Sequence, residues 1–88
     1  MIRSSFEIIA EILRVAKYGA KKTRIMYSCN LSHRMTGNFL AYLLEADLLR
    51  IGNSFHTTEK GLRFLRAYQA LELLLDTKIQ TCRRKRED

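Results

Sequence analysis

The chain has 88 residues, with sixteen Lys and Arg against nine Asp and Glu, a formal charge of +7 and 47% apolar side chains. That is one domain with a modest core, in the size range where a second copy often supplies missing stability. It is too apolar and periodic for a disordered chain, and its positive charge favours a polyanionic partner, either nucleic acid or an anionic surface.

No apolar run approaches the ~18 residues of a membrane span, and Met1-Ile2-Arg3-Ser4 leads straight into an amphipathic pattern rather than a secretory signal. A soluble cytoplasmic protein is expected. Cys29 and Cys82 lack the close pairing of a zinc site or a disulfide framework, so both are expected as reduced thiols.

Ser4-Ser5-Phe6-Glu7 fits a capping box, which starts the first helix. Phe6, Ile9, Leu13 and Ala16 follow at helical spacing, Ile8, Ile12 and Val15 widen the buried stripe, and Gly19 ends it. The basic connector over residues 20–24 has room for one short strand, and its Thr23 is a candidate cap for the second helix. Lys21, Lys22 and Arg24 suit phosphate contact, or equally an ordinary solvated turn.

Residues 23–29 read as a short helix ending at Asn30, a residue that tolerates the left-handed conformation. Ser32 is the candidate N-cap of the next helix. On that helix Thr36, Phe39, Leu40 and Leu43 fall in one arc while Arg34, Asn38 and Ala41 fall opposite. Two helices joined by so short a turn make a helix-turn-helix. Ser32, His33, Arg34 and Asn38 then stand where a recognition helix meets DNA: the Arg34 guanidinium suits guanine or phosphate, and the Asn38 amide suits adenine or the backbone. Gly37 costs this helix roughly 1 kcal/mol relative to alanine; it either permits close approach to DNA or is simply tolerated.

Residues 48–57 read as a β-hairpin around Gly52-Asn53-Ser54. A three-residue loop pairs Ile51 with Phe55 and Arg50 with His56, keeping apolar partners together, and is preferred over a two-residue loop. Arg50 and His56 then share the outer face of a wing, within reach of phosphates.

The last helix is expected to start at Thr57 or Thr58 and run to about Cys82, with Leu62 and Leu65 packed on its own domain. Beyond them Phe64, Tyr68, Leu71 and Leu75 continue in steps of four and three, flanked by Leu74 and Ile79. Such a row predicts a two-stranded coiled coil in a homodimer. The division expected is residues 1–66 as the DNA-binding domain, 67–82 as the dimerisation helix, and 83–88 as a frayed basic and acidic tail.

No catalytic constellation, phosphate-cradling glycine loop or small-molecule site is evident, and Cys29 with His33 alone does not make a metal site. No cofactor is expected. Tyr27 and Tyr42 are read as packing residues and Cys29 as a small buried one.

With these elements placed, the sequence resembles the archaeal winged-helix DNA-binding family typified by the small ten-kilodalton dimeric proteins of thermophilic archaea. The resemblance rests on residues 22–27, on Asn30-Leu31-Ser32, on residues 39–49, and on Thr58-Glu59-Lys60-Gly61 leading into Phe64, Leu65 and Tyr68. It implies a mainly α fold with a small β-hairpin, a winged helix-turn-helix extended by a long C-terminal helix that forms an antiparallel coiled-coil dimer. Double-stranded DNA is the implied partner and no enzymatic activity is implied. Ser32, His33, Arg34 and Asn38 are the implied groove-facing residues, and Lys22, Arg24, Lys60 and the Arg50 wing are expected to offer charge to phosphates. One departure stands out: Glu45-Ala46-Asp47-Leu48 precedes the wing where relatives often carry glycine, so this turn cannot use glycine's freedom. A transcriptional regulator or chromatin-associated protein is expected, the alternatives being a protein-interaction module on a winged-helix scaffold and an RNA binder.

Overall fold

The computed structural model describes residues 4–87, with side chains through residue 74. Helix α1 (Ser5–Val15) starts at the expected capping box: the Ser4 hydroxyl accepts from the Glu7 N–H at 3.1 Å and Glu7 Oε1 accepts from the Ser4 N–H at 3.3 Å. Ile8, Ile9, Ala10, Ile12 and Leu13 are buried along it. Phe6 is not part of that stripe. It lies in the first turn, beyond the reach of the core, and is 64% exposed.

A single 3₁₀ turn (Ala16–Tyr18) follows, and Gly19 at φ +97° redirects the chain. The short strand for which the connector has room is one residue long. Ala20 forms an antiparallel bridge with Phe55, exchanging hydrogen bonds of 3.0 and 2.8 Å.

Helix α2 (Lys22–Ser28) begins after Lys21 with no side-chain cap, so Thr23 does not cap it. Thr23 sits inside the first turn, past the position from which a hydroxyl can reach the free amides. Asn30 adopts φ 56°, and the chain turns into helix α3 (His33–Glu45). There the Ser32 hydroxyl accepts from the Met35 N–H at 3.1 Å.

The arc expected inside is inside: Thr36, Leu40 and Leu43 are buried and Phe39 packs against them. Buried Thr36 donates to the Ser32 carbonyl at 2.8 Å, which satisfies its hydroxyl. Cys29 is buried, as expected, and Cys82 lies outside the described side chains. Tyr27 and Tyr42, expected to pack, are 78% and 57% exposed, because each lies on the solvent side of its helix.

Helix α3 ends in a Schellman arrangement, with Leu48 N–H donating to Leu43 O at 2.9 Å and Asp47 N–H to Leu44 O at 3.1 Å. Asp47 occupies the left-handed position, at φ 65°. Substitution should rank accordingly, Asp47→Gly raising stability by about 0.5 kcal/mol or more and Asp47→Val lowering it by about 1–2 kcal/mol. Thermal melts of the two variants check the order.

Strands β1 (Leu49–Ile51) and β2 (Phe55–Thr57) pair antiparallel in the expected register, Arg50 opposite His56 and Ile51 opposite Phe55. Helix α4 (Glu59–Glu87) starts one residue later, with Thr58 as its cap. The Thr58 hydroxyl accepts from the Gly61 N–H at 3.0 Å and donates to the Asp47 carbonyl at 2.6 Å. A second threonine, Thr57, donates to the Leu13 carbonyl at 2.6 Å and fastens the wing to the end of α1.

Gly61 is buried where α4 crosses the turn before the wing. A Cβ there would lie 2.5 Å from both the Leu48 carbonyl oxygen and Thr57 Cγ2. Only a bare backbone fits.

Leu65 is buried in the core, and Leu62, Phe64 and Tyr68 pack against it. The Phe64 and Tyr68 rings stack at 6.2 Å between centroids. These two residues, expected in the dimer seam, therefore already serve their own subunit, as far out as the Arg14–Glu72 pair at 3.5 Å. Leu71 and Leu74 are exposed beyond them, and Leu75 and Ile79 lie outside the described side chains. The helix continues through the basic segment to Glu87, where a frayed tail was expected. Among the described residues no helix is long and apolar enough to cross a membrane.

Candidate nucleic-acid interface

The surface built by α2 and α3 follows from the burial of their other sides. With Ile25 fixed on α2 and Thr36, Leu40 and Leu43 on α3, residues Ser32, His33, Arg34 and Asn38 are left in solvent. Ser32 spends its hydroxyl on the cap, while His33 and Arg34 occupy the first turn, where free backbone N–H groups add partial positive charge.

Lys22, half-buried at the start of α2, reaches across to α3. Its Nζ is the atom that a Cβ at Gly37 would meet, at 3.9 Å. The structure thus brings Lys22 together with α3, a tertiary relation across fifteen positions that periodicity does not reveal. Arg24 is exposed on α2.

On the wing, Arg50 is exposed and shares a shallow concavity of about 220 Å³ with Ile51, Gly52 and His56. His56 is not the free surface residue expected. It is half-buried, with Nδ1 3.3 Å from the Ser54 carbonyl and Nε2 against Gly19, because the Ala20 bridge draws the 3₁₀ turn onto β2. Lys60 is exposed, and its ammonium donates to the Ala46 carbonyl at 2.9 Å. That contact neutralises the C-terminal end of α3, the end opposite His33 and Arg34.

A feature beyond the expected residues is the distribution of carboxylates. No Asp or Glu occurs between Glu11 and Glu45, whereas Arg14, Lys17, Lys21, Lys22, Arg24 and Arg34 all do. Following acidic rather than basic residues along the chain makes the gap visible. Both helices of the turn are therefore free of acidic side chains in their first turns. Beside this surface, Ser5, Phe6, Ile9, Asn38, Phe39 and Tyr42 line an open, mainly apolar groove of about 370 Å³.

A sequence model of the winged helix-turn-helix family matches residues 2–76. The chain belongs to that family. This winged helix is 35% identical over 75 residues to protein MJ0287 of Methanocaldococcus jannaschii, a match covering 82% of this chain and 77% of that one. It is 39% identical over 61 residues to MJ0290 of the same organism, covering 67% of this chain and 29% of that longer protein. Among solved structures, Sso10a-2, a DNA-binding protein from Sulfolobus solfataricus, shares the fold over 97% of this winged helix and 95% of its own chain, with a TM-score of 0.78 at 20% identity. All three come from archaea, the group to which the motifs of the turn, the helix α3 and the Thr58-Glu59-Lys60-Gly61 segment pointed.

Proposed function

We propose that this winged helix is a non-enzymatic, homodimeric protein that binds double-stranded DNA in the cytoplasm, as a transcriptional regulator or a chromatin-associated protein. The observation that carries the reading is the α2–α3 surface: exposed His33, Arg34 and Asn38 with Lys22 alongside, in a stretch without a carboxylate from Glu11 to Glu45. The DNA-binding description of Sso10a-2, which has the same fold, supports it.

In this reading α3 enters the major groove with Ser32, His33, Arg34 and Asn38 leading, while Lys22, Arg24 and the Arg50 wing lie along phosphates. His56 contributes by holding the wing, and Lys60 by closing the end of α3. Residues 1–66 form the DNA-binding part and residues 67–82 couple two copies through an antiparallel coiled coil. Exposed Leu71 and Leu74, continuing the side of α4 that carries Phe64 and Tyr68, support the coupling.

Titration of a labelled duplex across a range of salt tests the reading. The logarithm of affinity should fall steeply with the logarithm of salt concentration, since several phosphates are neutralised. Arg34→Ala should weaken binding by about 1–3 kcal/mol, roughly five- to 150-fold, without changing the sedimentation of the protein alone. A chain that leaves duplex DNA unbound at moderate salt would instead be a protein-interaction module on the same scaffold.

A further inference from the structure

Glycine occurs at four positions. Two have internal explanations: Gly19 holds φ +97° and Gly61 is wedged against Leu48 and Thr57, while Gly52 stands in the exposed wing loop, where no helix is weakened by it. Gly37 has none. It sits inside α3 with helical backbone, and a Cβ added there would meet one neighbouring atom within 4 Å, the Lys22 ammonium at the end of its long side chain, at an ordinary contact distance of 3.9 Å.

Glycine is the poorest helix former after proline. Alanine would therefore strengthen α3, and nothing in the described chain stands in its way. Among the described residues none excludes a Cβ at this position. At this point the surface has a bare backbone floor, with His33 and Arg34 one turn before it and Ala41 one turn after it, all exposed. The Lys22 Nζ hangs over the floor and pairs with no carboxylate among the described residues.

We propose that Gly37 is the floor of a phosphate seat, in which one phosphodiester group of the duplex rests against α3 and takes Lys22 as its counter-charge. This rests on the DNA-binding reading above and adds to it a specific point of closest approach. A phosphate fits better than a base edge because the cation arrives from α2, at the flank of the recognition helix, and carries no planar donor-acceptor pattern to read a base. Gly37 acts as a positioning residue and Lys22 as the ligand.

The test combines thermal melting with fluorescence anisotropy on a labelled mixed-sequence duplex, using wild type, Gly37→Ala, Gly37→Leu, Lys22→Ala and the Lys22→Ala, Gly37→Leu double variant. Gly37→Ala should melt about 4 °C higher or more, yet bind about tenfold more weakly, with the salt slope reduced by about one phosphate. Gly37→Leu should lose more, and Lys22→Ala should then cost little further in that background. The seat is overturned if Gly37→Ala binds with wild-type affinity and slope, if it melts below wild type, or if Lys22→Ala costs as much beside Leu at 37 as beside Gly. A wild-type chain that leaves the duplex free removes the DNA-binding reading and the seat together, whereas wild-type binding with unaffected variants removes the seat alone.

Discussion

In the proposed homodimer, Leu71→Glu is expected to give monomers at micromolar concentration. Leu71 is 56% exposed and Leu74 is 74% exposed on the same side of α4, just past the point where Phe64 and Tyr68 stop covering the core. A fully buried leucine contributes about 1.5–3 kcal/mol, and a two-fold interface loses it twice. The dimer should therefore weaken by about 3–6 kcal/mol, more than a hundredfold in its dissociation constant. Leu73 supplies the control. It is 72% exposed but two residues further on, about 200° around the helix, so Leu73→Glu should leave the association intact. Sedimentation equilibrium of the three chains reads the result, and a Leu71→Glu protein that remains dimeric removes Leu71 from the seam.

Gly61→Ala should destabilise the fold by about 2–3 kcal/mol, roughly 8–20 °C in melting temperature. Helix propensity alone argues the other way, because alanine favours helix over glycine by about 1 kcal/mol. Packing decides the sign. The added Cβ would stand 2.5 Å from the Leu48 carbonyl oxygen and from Thr57 Cγ2, and one of these is backbone that cannot swing aside. Relief requires α4 to lift from the turn, which would stretch the Thr58 hydrogen bonds to Asp47 and Leu48 and the Lys60 contact with Ala46. The same substitution at Gly37 should raise stability, so the two helical glycines separate intrinsic propensity from tertiary environment within one chain. Denaturant unfolding of both variants measures the difference.

What was legible in the sequence was local or governed by a repeating face. The capping box at Ser4, the Ser32 cap, the buried arc of α3 and the left-handed Asn30 each depend on residues within a few positions of one another. The wing register was also readable, because placing Ile51 opposite Phe55 satisfies burial while the alternative does not. Spacing could not tell where a stripe stops being covered. Phe6 has the right period but lies past the edge of the core, and Phe64 and Tyr68 have the period of a seam but find cover in their own domain. Contacts between distant segments were the other gap. Lys60 looks like a free surface cation until the Ala46 carbonyl comes beside it, His56 looks exposed until Ala20 bridges Phe55, and Lys22 looks like a connector residue until α3 passes beneath its ammonium. The exposure of His33, Arg34 and Asn38 was legible for the opposite reason: it follows from the burial of the arc across the helix.

Helix α4 contains no glycine after Gly61 and no proline at all, and at about 43 Å it is the longest object in the molecule. Its base is held on the core by the Gly61 crossing, by buried Leu65 and by Leu62, Phe64 and Tyr68 packed beside it, so head and shaft turn together. A shaft lacking the usual sites of bending transmits angle as well as distance. Joined end to end or side by side, two such bodies would hold their reading edges at one fixed phase, and the winding of a double helix would decide which separations let both edges engage at once.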